Sequence, residues 1–322
     1  MSAPADAGAS PTASTSSVLL SRAGAVAGDP PDYAVAAHYG DPLREQTLPV
    51  GVVDRSHREV ITVPGPDRLS WLHTLTTQYL TDLAPGVGIQ ALLLSPHGHV
   101  EHHLVLVDDG ESTWIDVEGG TAEPLVEYLE RMRFMLRVEV RREDRAVLTV
   151  VGAAPPPAEL PAGWLAHQMP WGVDLLVSRA GLEAAVDTLG LPLVGFSAFE
   201  AARVAARRPR LGFETDHRTI PNELPWLESA VHLQKGCYRG QETVARTHNL
   251  GRPPRRLVLL HLDGALPARD AAVETGGRAV GRVGTAAYHA ELGPIALAMV
   301  KRNVPDDAAL TAGGIAAAID PA

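Results

Sequence analysis

The sequence predicts an α+β protein closed by a small C-terminal β-barrel. Three observations carry that expectation: a strand-then-helix opening between Glu59 and Leu80, an antiparallel hairpin set between two helices from Gln90 to Phe134, and short apolar strands beyond Arg255 separated by Gly, Pro and Asp. With 322 residues, 45% of them hydrophobic, the chain has room for two or three folding units.

In chain order, Glu59 to Val63 reads as a strand, and Pro66 to Leu80 as a helix because Leu69, Leu72 and Leu75 recur at helical spacing. Gln90 to Val117 reads as a strand and a hairpin, with Asp108, Asp109 and Gly110 supplying the turn between Leu104–Val107 and Thr113–Val117. A helix from Thr121, its expected cap, to Phe134 places Leu125, Leu129 and Met132 on the buried side, and Met135 to Val140 is expected as the returning strand. This order matches a ferredoxin-like unit with helices over one sheet face.

A second, looser copy is expected from Ala146 to Gly152, through the loop Ala153 to Pro161, to the strand Asp174–Ser178 and the helix Arg179–Leu189 ended by Gly190. Ser197 and Glu200 form a capping-box pattern for a helix from Ala198 to Arg207, which Pro209 stops. The strands Leu257–Leu262, Ala279–Ala286 and Ile295–Val300 make the expected barrel. The division is therefore 1–41 as a disordered tail rich in Ala, Ser and Pro, 42–145 and 146–252 as two α+β units, and 253–322 as the barrel.

A formal net charge of −10 disfavours nucleic acid as a partner, since phosphate backbones are held by clustered Lys and Arg. No apolar run approaches the ~20 residues of a membrane span, and no basic-then-apolar secretory start is present. The expectation is a cytoplasmic protein that does not act at a membrane. Its single cysteine, Cys237, closes no intrachain disulfide and holds no complete metal centre alone.

That cysteine sits in the densest run of unusual residues, KGCYRGQETVAR, Lys235 to Arg246. Lysine occurs only at positions 235 and 301 in an otherwise Arg-using chain, so an ammonium stands beside the only thiol. Gly236 and Gly240 permit positive φ, and Lys235 with Arg239 would favour the thiolate. The run reads either as a reactive-thiol loop or as a turn around an inert, packed cysteine. His232 and His248 lie near in sequence, but adjacency is not the geometry a Cys–His hydrolase needs.

Two further clusters stand out. In HGHVEHH, a strand would put His97, His99, Glu101 and His103 on one face, either as metal ligands or as a solvated or pocket-facing side; side chains along one strand rarely converge on one ion, and no metal site is assigned. Arg203, Arg207, Arg208 and Arg210 gather at a helix end, to bind an anionic ligand tail or simply to complement the helix dipole.

KGCYRGQE resembles the signature of the YgfZ folate-binding family, relatives of the T-protein (aminomethyltransferase) of the glycine cleavage system. TDHRTIPNE, Thr215 to Glu223, then NLGRPPRRLVLL and GRVGTAAYHAELGPIALAMV extend the resemblance in family order over roughly residues 47–315. The resemblance implies a T-protein-like α+β fold: two ferredoxin-like units and a barrel around a central folate-type pocket. It implies tetrahydrofolate or a derivative as cofactor, and a role in assembling or repairing iron–sulfur clusters, with client enzymes or assembly machinery as partners. Cys237 falls at the family's cysteine, as the reactive group. Lys235, Tyr238, Arg239, Gln241, Glu242, Arg246 and Arg256 are the expected cofactor-binding or loop-ordering groups, Arg256 for the glutamate tail of a folate.

The chain departs from the T-protein pattern at two places. The aspartate pair used in aminomethyl transfer reads His102–His103, and the pterin-contacting glutamate reads Ala205, leaving Glu200 or Glu214 as substitute acceptors. A conventional aminomethyltransferase is therefore not expected. The alternatives are a tetrahydrofolate-dependent one-carbon transferase, or a folate-binding sensor in which Cys237 merely packs.

Overall fold

The computed structural model describes residues 16–152 and 160–321. In chain order the elements are β1 (Val26–Ala27), β2 (Ala36–His38), α1 (Pro42–Glu45), β3 (Val50–Asp54), β4 (Glu59–Pro64), α2 (Arg68–Leu75), β5 (Gly88–Leu94), β6 (Val100–Asp108), β7 (Ser112–Val117), α3 (Ala122–Met132), β8 (Arg141–Glu143) and β9 (Arg145–Gly152). They continue with β10 (Leu165–Met169), β11 (Gly172–Ser178), α4 (Leu182–Leu189), β12 (Leu193–Val194), α5 (Phe196–Ala205), α6 (Trp226–Ser229) and α7 (Gln241–Leu250). The last six strands are β13 (Arg255–Leu262), β14 (Ala272–Thr275), β15 (Arg278–His289), β16 (Gly293–Lys301), β17 (Leu310–Ala312) and β18 (Ile315–Ile319).

The first sheet has the order β5-β6-β7-β4-β8. Alternation along β4 turns Ile61 and Val63 toward α2 and α3, where they pack with Trp71, Leu72, Leu125 and Leu129. Val60, facing the other way, meets Val107, Val147 and Leu176, and so joins the two sheets. The second sheet, β10-β11-β9-β3-β12, packs Val52, Leu148, Leu175 and Val177 against Leu182 and Val186 of α4. Gly190 ends α4 in the left-handed region, as the Gly after a helix predicts. Strands β13-β16-β15-β14-β17-β18 close into the expected barrel.

Four expectations are corrected. β3, assigned by position to the first unit, pairs with β9 and β12 in the second sheet, so the units interleave instead of dividing at residue 145. Residues 16–41 of the expected tail are packed: Leu19 and Val35 are fully buried, and Asp32 reaches the centre of the molecule; residues 1–15 lie outside the described residues. Met135 to Val140 forms no strand, because Phe134 turns into the left-handed region at φ 49° and leaves Met135 98% exposed. α5 begins at Phe196, two residues before the expected start, so Gly195 stands at the cap and Ser197 lies inside the helix, while Glu200 is held by Arg203.

Candidate functional site

A cavity of about 370 Å³ lies where β3, β6, β7, the β10–β11 turn, α5 and α6 meet. Its charged wall begins with the run Asp54-Arg55-Ser56-His57-Arg58, in which every residue is buried. Buried charges need partners, and Arg55, Arg58, Arg203 and Arg210 each have a carboxylate. Arg55 donates to Asp174 and Thr149 at 3.0 Å each, and its guanidinium stacks 4.7 Å from the Phe199 ring. Arg58 holds Asp116, and Arg203 clamps Glu200 at 2.7 and 2.9 Å while reaching Glu214 at 3.1 Å. Arg210 binds Asp32 at 2.6 and 2.8 Å and Glu118 at 2.5 Å.

The electrostatics of this wall follow from burial opposed by those guanidinium groups. Burial pushes Glu118 up, but Arg210 and Arg58 outweigh it and hold the carboxyl at about 2. Asp32, on the same Arg210, is raised because burial dominates. Burial, then Arg210, takes His57 well below the ordinary range, so its ring is neutral, and its Nδ1 has no hydrogen-bond partner among the described residues.

The aromatic wall is His103 stacked on Trp226, with centroids 4.5 Å apart and planes 14° off parallel, together with Trp171, Phe196 and Phe199. Burial lowers His103 to about 3 and His102 to about 4, so both are neutral at pH 7. His103 pairs through Nε2 with Gln90 Oε1 at 2.9 Å.

The histidine-rich run does not form one face. Ser95 to His99 is a tight turn, with Ser95 N donating to the His99 carbonyl at 2.8 Å, so β6 begins only at Val100. His103 faces the cavity while Glu101 pairs with Arg239 at 3.4 Å. Among the described residues, the ligand-type groups that do converge are Asp32, His57 and Glu118, and Asp116, His167 and Asp174. Apart from the two histidines, all are held by Arg55, Arg58 or Arg210, so their charge is already compensated.

The cysteine run forms a second place on the molecule. Cys237 is exposed. Lys235 beside it is buried, donates from Nζ to the Thr76 carbonyl at 2.6 Å and to the His73 carbonyl, and is lowered to about 8 by burial. Tyr238 packs with Leu92 and Val244, and burial raises it to about 12. Arg239 lies 5.3 Å from the Tyr128 ring. Gln241, Glu242 and Arg246 are on α7, which Gly240 opens at φ 80°. A Cβ on Gly240 would stand 2.6 Å from the Ser95 carbonyl oxygen and 2.7 Å from Gly98 Cα. The two glycine-bearing motifs thus interlock: the turn before β6 sits on the start of α7.

Arg256 is elsewhere again, donating to the Val304 carbonyl at 2.8 Å and Asp306 at 2.5 Å on the barrel. None of Lys235, Cys237, Tyr238, Arg239, Gln241, Glu242, Arg246 and Arg256 is among the residues lining the cavity. Of the expected substitute acceptors, Glu214 is fully buried on Arg203 and Thr285, and Glu200 lines the cavity but is clamped. The sequence reading missed Arg55, His57, Arg58, Glu118, Trp171 and Trp226. A signal existed for the first three: DRSHRE is a charged run joining two apolar strands, too short to leave the core.

The family model described as CAF17, C-terminal beta-barrel domain, matches residues 255–322. A putative chloroplastic transferase of Arabidopsis thaliana is 26% identical over 272 residues, covering 73% of this chain and 61% of that protein. The mitochondrial iron–sulfur cluster assembly factor IBA57 homolog of Chaetomium globosum is 24% identical over 258 residues, covering 67% of this chain and 57% of that protein. The tRNA-modifying protein YgfZ of Photorhabdus laumondii is 23% identical, covering 68% of this chain and 73% of that one. The match therefore spans about three-fifths of the length of the first two relatives. The crystal structure of glycine cleavage system aminomethyltransferase T from Bartonella henselae superposes with a TM-score of 0.82 at 19% identity, over 94% of both chains. No helix among the described residues is long and apolar enough to cross a membrane. Residues 255–322 thus match the CAF17 C-terminal β-barrel model, on a chain that has the fold of the Bartonella aminomethyltransferase and homologues named IBA57 and YgfZ.

Proposed function

We propose that this protein binds tetrahydrofolate in the central cavity and assists assembly or repair of iron–sulfur clusters in client enzymes, with Cys237 as its reactive group. The observation that carries the reading is the cavity itself. Its volume of about 370 Å³ falls in the range of small-molecule sites, and its walls combine aromatic faces with an ionised carboxylate. A reduced pterin offers a flat ring and several N–H donors. The His103–Trp226 stack and Trp171 suit the ring.

Glu118 suits the donors, because among the described residues its Oε2 is engaged only by a long 3.4 Å contact from Arg58. It supplies the acceptor that Ala205, packed against the barrel, does not. Tetrahydrofolate, when bound, would carry one-carbon or reducing chemistry; the chain's own residues stack, accept and exclude water. The iron–sulfur cluster enters as cargo, since one thiol supplies only one of the roughly four ligands a cluster takes. The names of the IBA57 homologues support the pathway.

A second reading, one-carbon transfer to an amine, is favoured by the relatives named transferase and aminomethyltransferase. The histidines at 102 and 103 weigh against it, being neutral where that chemistry uses carboxylates. The deciding experiment measures iron–sulfur enzyme activities in cells lacking the protein, complemented by wild type or by Cys237→Ala. The expected result is loss of activity restored by wild type alone. Restoration by the variant removes Cys237 from the function, and unchanged activity in the deletion refutes the iron–sulfur role and leaves one-carbon transfer.

A further inference from the structure

Five guanidinium groups line the central cavity, from Arg55, Arg58, Arg203, Arg208 and Arg210. Four are neutralised within the protein: Arg55 by Asp174, Arg58 by Asp116, Arg203 by Glu200 and Glu214, and Arg210 by Asp32 and Glu118. Arg208 differs. Among the described residues no carboxylate oxygen lies within 4.0 Å of it, and its one hydrogen bond is from Nη1 to the Pro170 carbonyl at 3.2 Å. A guanidinium carries five N–H donors, so most of this one's capacity is unused.

The carboxylates nearest in function are already engaged. Glu200 is clamped by two of the three nitrogens of Arg203, and Glu118 is taken by Arg210. Glu228, at the exposed rim, forms no ion pair with Arg208. Trp171 lies 5.9 Å from the Arg208 guanidinium carbon and forms a wall beside it. Burial, then Arg203 and Arg55, lower Arg208 to about 10, which leaves it charged at pH 7. The cavity therefore presents one unpaired, partly desolvated cation in a space large enough for a ligand. An uncompensated charge of this kind is relieved by an anion, and the planar fork fits a carboxylate through two parallel hydrogen bonds.

We propose that Arg208 is the anion anchor of the cavity and determines specificity for a carboxylate-bearing ligand. The inference rests on the tetrahydrofolate reading and deepens it: the glutamyl carboxylate of the ligand binds at Arg208 and not at Arg256, which does not line the cavity and is already paired with Asp306.

The test is anaerobic titration calorimetry of the full-length protein with tetrahydrofolate and with tetrahydrofolate diamide, in which both glutamyl carboxylates are amides. Wild type is expected to prefer the acid about 10- to 100-fold, the span of a charge-assisted hydrogen-bonded pair. Arg208→Gln is expected to bind the diamide as wild type does and to lose that preference. Arg208→Lys keeps the charge without the fork and is expected to fall between them. Unchanged diamide binding also reports that the variants are folded. An Arg208→Gln protein that still prefers the acid as strongly as wild type overturns the anchor while leaving the cavity reading intact. Absence of binding by either ligand to wild type sinks the cavity reading, and the anchor with it.

Discussion

Arg210 pairs with three carboxylates of the cavity region, Asp32, Glu118 and Glu200, and its removal tests whether the buried charges hold the molecule together. Arg210→Met removes the guanidinium, whose carbon lies 4.0 and 5.2 Å from the ring centroids of Phe213 and Phe196, and leaves an unbranched apolar side chain in its place. Asp32 then remains buried without its cation, and Glu118 keeps, among the described residues, only the 3.4 Å contact from Arg58. For Glu118, the drop from 4.5 to about 2 corresponds to roughly 3 kcal/mol of stabilisation. Breaking a buried pair from one side costs about 3–5 kcal/mol, and the same range is expected here.

The pH dependence has a definite sign. Glu118, depressed in the folded state, contributes stability that is full above its unfolded pKa and is lost as pH falls through about 2. In the variant the burial of both carboxylates is unopposed by Arg210. The penalty is then present at neutral pH and shrinks as acid protonates them. Urea denaturation followed by tryptophan fluorescence at pH 7 and pH 4.5 reads both effects. Limited proteolysis reads a third, because Asp32 ties residues 26–38 to the core through Arg210, and the variant should be cut there first. A loss under about 1 kcal/mol at pH 7, or the same loss at both pH values, would refute the reasoning.

Three other outcomes follow from the cysteine run. Cys237 is exposed, so an aromatic disulfide reagent should label it fully without denaturant, and Cys237→Ala should change stability by no more than about 0.5 kcal/mol; a thiol labelled only on unfolding contradicts this. Gly240→Ala should lower stability by about 1–3 kcal/mol, since it combines φ 80° with a 2.6 Å approach to the Ser95 carbonyl oxygen. Gly236→Ala, at φ 97° but with nothing within 4 Å, should cost less; equal melting temperatures for the two variants would show that the interlock with Gly98 is unimportant. Lys235→Met should cost about 1.5–3 kcal/mol by unseating two carbonyls from a charged donor, and Lys235→Arg should not restore the loss in thermal melts.

Much of the fold was legible because periodicity is local. Ile61 and Val63 alternate with Val60 and Thr62, Leu125 and Leu129 recur at helical spacing, and Gly190 ends its helix where a left-handed residue is needed. What was illegible is non-local or masked by composition. β3 pairs with β9 across about a hundred residues, and no short window of sequence contains that information. The segment 16–41 looked disordered because few of its residues are large and apolar, yet Leu19, Val35 and the Asp32–Arg210 bond, 178 residues apart, suffice to hold it. FMLRV has the composition of a strand, but the left-handed turn at Phe134 exposes its first residues. The cavity was hidden for a related reason: its charged residues look solvated in sequence, and only the fold shows Arg55, Arg58, Arg203 and Arg210 each facing a carboxylate.

The retained lysine is the clearest case of one residue type meaning something other than its neighbours implied. Beside a lone thiol, Lys235 reads as electrostatic support for a thiolate. In the fold its ammonium instead meets the carbonyls of His73 and Thr76, at the last turn and C-cap of α2. Those carbonyls have no partner within the helix, and they carry the negative end of its dipole. A compact ammonium with three rotatable donors can take two carbonyls that converge from one turn, whereas a rigid planar fork suits two parallel acceptors. That accounts for lysine at position 235 in a chain whose one other lysine is Lys301. The same junction is pinned from the other side, where Thr77 Oγ1 donates to the Ala230 carbonyl at 2.6 Å and His232 N donates to the Thr77 carbonyl at 2.9 Å. The segment from α6, which lines the cavity at Trp226, to exposed Cys237 is therefore strapped to the end of α2.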